Sequence, residues 1–378
     1  MAYAILYAPQ PILPALATEF QSSTHTAALL TTAVMLPLAI APLSYGFFLE
    51  KFPAKHGLIA SCLIMASCHI SFALITDISQ AIIIRAIEGM TLPVMLTSIM
   101  TLLTRTTQKE KLQQTLSIFI ALTIVGGLSG RTASILFTEY VSWRGTFIIL
   151  AILSLLALKP LQTLPNHKPK HQQTIKSSHL IECLTHPTNR YLYPFILLQF
   201  FTMVAILNFI PFRILETFNQ DSYWPVLLVY SFYIAAIGTA LITIKMRKSF
   251  NHLQVYGGLS WLIICCIGLW CFSFNHILMY CLGFTLVCGA IFANHSIFST
   301  EVNQNEEKYS GLANGTYLTF YYTGGTLGSI LPSVWIEQTG WNTTLLYLTV
   351  CCMASAILLI CYKRATTKHL LQQNHERF

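Results

Sequence analysis

Twelve runs of apolar residues, most of them twenty or more long, occupy nearly the whole chain. They fall at 1–17, 26–49, 57–76, 79–104, 112–137, 145–158, 191–215, 224–244, 254–273, 277–300, 311–335 and 343–362. About twenty apolar residues in a helix match the thickness of a bilayer's hydrocarbon core. Backbone that crosses lipid must also satisfy its hydrogen bonds internally. The pattern therefore predicts an all-α membrane protein of twelve transmembrane helices. Charge agrees: only 10% of the 378 residues are charged and the mean hydropathy is +0.60, whereas soluble domains run near about 25% charged. The sixth run, "GTFIILAILSLLAL", is short. The first is also short and starts without a charged leader, so the reading here is a late start or a first helix shortened by about one to three turns.

One long break, 159–190, divides the runs six and six. The expected organisation is a six-helix half at 1–158, a cytoplasmic linker at 159–190, a second six-helix half at 191–362 and a cytoplasmic tail at 363–378. The linker's four histidines (His167, His171, His179, His186) read as a solvated segment rather than a metal site. With the N-terminus inside, eighteen of the 22 lysines and arginines lie in inner loops, one (Arg144) lies outside, and three (Arg85, Arg131, Arg213) lie within spans. Positive charge retained on the cytoplasmic side orients membrane proteins, so both termini are expected in the cytoplasm. The net charge of +8 is then a matter of topology and does not imply nucleic acid. The 11 cysteines show no ligand spacing and read as packing residues, and no cofactor or metal is called for.

"VGGLSGRTASILFTEYVSWRGT" (125–146) aligns with "TGGTLGSILPSVWIEQTGWNTT" (323–344) at a constant offset. Gly126, Gly127 and Gly130 fall on Gly324, Gly325 and Gly328; Glu139 falls on Glu337 and Trp143 on Trp341. Spans six apart that match and point the same way imply two parallel six-helix repeats.

Several motifs then carry a resemblance. "GFFLEKFPAKHG" (46–57) is similar to a signature loop after the second span, with Gly46, Glu50, Lys51 and Lys55 in place and Pro53 where glycine is usual. "IIIRAIEGM" (82–90) is similar to a fourth-span motif, with Arg85 and Gly89 matching and Glu88 where glutamine is usual. "GGLSGR" resembles a fifth-span antiporter motif, with Gly127 replacing its proline and Arg131 its last glycine. The chain as a whole resembles the major facilitator superfamily, most of all bacterial inner-membrane permeases of the arabinose-efflux and multidrug-efflux type. The resemblance implies a substrate site near mid-membrane and a charge latch at Glu50, Lys51 and Lys55. For Lys55 a purely topological charge is the competing reading.

The candidate residues follow from cost. A charge inside a span is expensive unless it is paired or wet. Arg85 and Glu88 share a helical face at three-residue spacing: Glu88 is either a proton-coupling carboxylate or a permanent partner of Arg85. Arg131 sits about 9 Å from the outer end of its span. It either contacts an anionic substrate or ties helices together, for instance through Glu139. Arg213 is shallower, explained by snorkelling and by Glu216 nearby. His295, which could titrate near neutral pH, and Asn294 face either the cavity or packing. Gln10, Tyr7, Asn208, Asn314, Tyr317, Tyr321 and Tyr322 are further cavity candidates, while His69 reads as packing. Gly126/Gly130 and Gly324/Gly328 have the spacing that lets helices approach closely, as static packing or as a moving interface.

The function expected is secondary active transport of a small organic molecule, coupled to protons and outward. Import or exchange of an organic anion is the alternative within transport. A membrane enzyme or a transporter-like sensor is the alternative outside it. The partners expected are the bilayer, the solute and protons, with the chain acting as a monomer in a bacterial inner membrane.

Overall fold

Each of the twelve runs is built as a helix or a broken helix in the computed structural model, which describes residues 1–49, 53–163, 177–218, 221–247, 254–305 and 310–375. The first run is α1 (Ala2–Tyr7), a 3-10 turn (Gln10–Ile12) and α2 (Leu13–Glu19). It breaks because Pro9 and Pro11 bring no backbone N–H. The next five runs are α3 (Thr24–Leu49), α4 (Ala54–Leu74), α5 (Ile78–Thr106), α6 (Lys109–Tyr140) and α7 (Trp143–Leu156). Two short helices follow, α8 (Leu158–Gln162) and α9 (Ser177–Thr185). The seventh run is α10 (Asn189–Phe218) and the eighth is α11 (Trp224–Ser231) with α12 (Tyr233–Arg247). The rest are α13 (Gln254–Cys271), α14 (Ile277–Asn305), α15 (Ser310–Thr339) and α16 (Trp341–His375).

Local chemistry sets several ends. Asp77 caps α5 by accepting from the Gln80 N–H at 2.9 Å, and Ser142 caps α7 by accepting from the Arg144 N–H at 3.3 Å. Gly340, at φ +86°, turns α15 into α16, a left-handed step that glycine takes at no steric cost. Among the described residues, eight helices are long and apolar enough to cross a membrane. The other four runs are the first, fifth, eighth and eleventh. These carry the helix breaks, the glycine steps and much of the polar side-chain chemistry.

Contacts divide the chain into two compact units. One is Met1–Gln173 with Leu207–Leu227; the other is Thr174–Ile206 with Leu228–Phe378. In the first unit α5 packs on α3 and α4, α4 on α7, and α1 on α6. In the second, α14 packs on α12 and α13, and α13 on α16.

Candidate functional site

Three polar clusters lie buried within helices of apolar character. The first is built on the break in the first run. In a continuous helix the Ile5 carbonyl would accept from residue 9, but Pro9 has no N–H to give. Arg85, fully buried on α5, supplies the donor. Its Nη1 donates to the Ile5 carbonyl and its Nη2 to the Leu6 carbonyl, each at 3.3 Å, while Nε donates to the Leu30 carbonyl on α3 at 3.1 Å. The same guanidinium pairs with Glu88 Oε2, one turn along α5. The other carboxylate oxygen, Oε1, lies 2.8 Å from Nδ1 of His69 on α4. Arg85, Glu88 and His69 are all completely buried, and His69 Nε2 has no hydrogen-bond partner among the described residues.

The second cluster centres on Arg131 in α6. Nε and Nη2 both donate to Gln10 Oε1, at 3.1 and 2.7 Å, and Nη1 donates to the Gly127 carbonyl at 3.3 Å. The guanidinium carbon stands 4.1 Å from the centre of the Tyr7 ring, a cation–π geometry. Gln10 Nε2 in turn donates to Asn208 Oδ1 at 3.1 Å. Gln10 and Asn208 are 198 residues apart, the same offset that relates the glycine repeats. All three polar side chains are fully buried. Glu139, the acid considered for Arg131, accepts from the Ser222 hydroxyl at 2.8 Å and the Tyr223 N–H at 2.6 Å.

The third cluster is in the second unit. His295 Nδ1 on α14 is 3.0 Å from the Tyr317 hydroxyl on α15, and its ring lies 5.0 Å from that of Tyr321. Asn294 Nδ2 donates to Gln199 Oε1 at 3.3 Å, and Gln199 Nε2 donates to Ser355 Oγ at 3.2 Å. Asn294 Oδ1 has no hydrogen-bond partner among the described residues. Buried carbonyls without a partner are uncommon in native folds.

The structure thus joins Arg85 to Glu88, Arg131 to Gln10 and Asn208, and His295 to Tyr317. Arg213 stands apart from these, paired with Glu216 Oε2 at 3.1 Å and partly exposed. Gly46 lies in the last turn of α3. Lys55 Nζ donates to the Gln162 carbonyl at 2.7 Å. Glu50 and Lys51 lie outside the described residues. Among the glycines, a Cβ on Gly130 would come within 2.5 Å of Ala4 Cα, one on Gly324 within 2.1 Å of the Leu197 carbonyl oxygen, and one on Gly328 within 2.3 Å of the Phe201 carbonyl oxygen. Gly126 differs, since its Cβ would meet nothing nearer than 3.8 Å. His69, read from sequence as packing, is the third member of the Arg85–Glu88 cluster. Gln199 and Ser355 were not foreseen, although a lone amide in "ILLQFF" was the available signal.

The chain matches the family described as Major Facilitator Superfamily over residues 1–305. It belongs to the major facilitator superfamily. Relatives include an uncharacterized transporter of Buchnera aphidicola subsp. Schizaphis graminum, 23% identical over 86% of this chain and 80% of its own length. The MFS-type transporter YybF of Bacillus subtilis is 24% identical over 91% and 87%, and the inner membrane transport protein YnfM of Escherichia coli is 24% identical over 90% and 82%. A point mutant of the nucleoside transporter NupG has the same fold, with a TM-score of 0.77 over 96% of each chain at 13% identity. So does a bacterial homologue of the lysosomal transporter Spinster, inward-facing and unoccupied, with a TM-score of 0.74 over 98% of this chain and 93% of that one at 10% identity. This major facilitator is accordingly a multi-pass membrane transporter of twelve-helix fold, not an enzyme.

Proposed function

We propose that this major facilitator exports a small organic molecule in exchange for protons by alternating access. On this reading it acts as a monomer in a bacterial inner membrane with both termini in the cytoplasm. Its halves are residues 1–158 and 191–362, joined by the linker 159–190 and followed by the tail 363–378.

The observation that supports proton coupling is Glu88. It is a carboxylate fully buried in a span, with one oxygen on Arg85 and the other against His69. Ionisable groups placed this expensively inside a membrane mark ion pathways in many transporters. A proton on the His69–Glu88 pair changes its net charge by one, and that loosens or tightens its hold on Arg85. Arg85 in turn holds the carbonyls of α1 and α3, so protonation is transmitted to the packing of those helices. Gln10, Tyr7 and Asn208 are the proposed solute-facing set of the first unit, held by Arg131 as a tie from α6, and His295, Asn294 and Tyr317 that of the second.

The test uses inverted membrane vesicles with an imposed pH gradient, acid inside, screened with cationic dyes and organic acids. A transported compound should accumulate and release protons from the lumen. Glu88→Gln should stop gradient-driven uptake while leaving exchange of labelled for unlabelled compound measurable. Wild-type rates of gradient-driven uptake in Glu88→Gln would remove Glu88 from coupling. Accumulation only in right-side-out vesicles would reverse the direction. Arg131 against the side-chain amide of Gln10 also favours a second reading, import or exchange of an organic anion, which the organic acids in the same screen address.

A further inference from the structure

Basic side chains of the second unit converge on two neighbouring cavities where α13 begins and α16 continues beyond its apolar stretch. One cavity, of about 530 Å³, is walled by Tyr256, Leu259 and Ile360 together with Lys363, Arg364 and Lys368. The other, of about 440 Å³, is walled by Arg190 and Tyr191 at the start of α10 and again by Arg364 and Lys368. Arg364 and Lys368 therefore border both.

Two of the four cations are held in place by aromatic rings. The Lys363 ammonium donates to the Tyr256 hydroxyl and stands 3.8 Å from the centre of that ring. Arg190 donates to the Tyr191 hydroxyl at 2.9 Å, with its guanidinium 4.9 Å from the ring centre. The other two, Arg364 and Lys368, are exposed and make no ion pair among the described residues. They sit four residues apart on one helical face, where like charges repel. Ile360, a further turn back on that face, is 42% exposed. Orientation alone requires only that positive charge stay on one side of the membrane. It does not require cations to converge on a cavity with an apolar floor. A free phosphate would have no use for Ile360 and Leu259, whereas a lipid would use both the floor and the rim.

We propose that this is a binding site for one anionic glycerophospholipid, with its phosphate on Arg364 and Lys368 and an acyl chain along Ile360 and Leu259. Basic pockets at the end of a membrane helix have the charge and depth such headgroups need.

The experiment is native mass spectrometry of the full chain, delipidated in detergent and titrated with phosphatidylglycerol or phosphatidylcholine of matched acyl chains. The wild type should retain phosphatidylglycerol at least about tenfold more strongly. The double variant Arg364→Gln/Lys368→Gln should lose that preference. The matched pair Lys111→Gln/Lys159→Gln, which removes the same charge elsewhere, should keep it, as should Arg364→Lys. Equal retention of the two lipids by the wild type would overturn the proposal without recourse to any variant. So would an equal loss in the matched pair, which would mean that charge alone is read. Displacement of the lipid by glycerol phosphate at the lipid's own concentration would show a free-anion site and overturn it as well.

Discussion

A buried guanidinium brings five N–H donors into a place without water. Arg131 commits two of its nitrogens to one amide oxygen and a third to a carbonyl of its own helix. That arrangement links α6 to the 3-10 turn and, through Gln10, to Asn208 on α10. Arg131→Gln is expected to lower the midpoint of thermal unfolding in detergent, because Gln10 Oε1 loses two donors at a cost of about 1–3 kcal/mol. Arg131→Lys should lose less, since one donor and the charge survive, although lysine cannot reproduce the two-pronged contact. Transport of an acidic and of a cationic compound should then fall in the same proportion in each variant. A loss confined to the acidic compound would move Arg131 from a structural tie to an anion site. The charges at 85, 88 and 131 were legible in the sequence because each is costly inside an apolar run. The contact of His69 with Glu88 was not, because it depends on how α4 packs on α5, and nothing in a one-dimensional pattern states that.

Helix contacts explain why the repeat is written in glycine. At Gly130, Gly324 and Gly328 another helix's backbone passes where a Cβ would have to sit, so any side chain there must push two helices apart. Gly130→Leu and Gly328→Leu are expected to abolish transport while leaving the protein in the membrane at a detectable level. Gly126→Ala, with nothing closer than 3.8 Å, should transport at close to the wild-type rate. Transport assays paired with an immunoblot of the membrane fraction check all three. Normal transport by Gly130→Leu would remove the close-contact role. The element boundaries show what apolar patterning can and cannot convey. The run predicted to end at 362 continues as α16 to His375, because "TTKHLLQQNH" is built of residues that tolerate a helix but is too polar to extend an apolar run. The break in the first run was legible in "APQPILP", since two prolines two residues apart cannot both sit within one helix without losing hydrogen bonds.

Alternation of the twelve runs puts odd-to-even breaks on one face of the membrane and even-to-odd breaks on the other, and side-chain contacts respect that division. Arg144 pairs with Glu19 at 2.7 Å and donates to the Ile75 carbonyl at 3.4 Å. Arg144 and Glu19 come from the breaks after the fifth and first runs, and Ile75 from the end of the third run. In the second unit the Trp341 Nε1–H donates to the Phe272 carbonyl at 3.0 Å, which joins the break after the eleventh run to the end of the ninth run. At the opposite face, Lys55 reaches the Gln162 carbonyl, joining the break after the second run to the linker. These contacts say which breaks lie together but not which face is inside. The proposed orientation rests on charge: of the nineteen lysines and arginines outside the spans, only Arg144 belongs to the breaks that include Glu19, and it is paired there. A translocated loop with one neutralised cation presents little to hold it back, whereas the other face holds eighteen. Reporter fusions after residue 143 and after residue 341 should therefore be active as periplasmic enzymes and inactive as cytoplasmic ones. A fusion after residue 163, in the linker, should give the reverse. The two outer positions fall in different units, so a cytoplasmic signal at one of them would break the alternation within that unit. A cytoplasmic signal at both would turn the whole molecule over and take the proposed direction of transport with it.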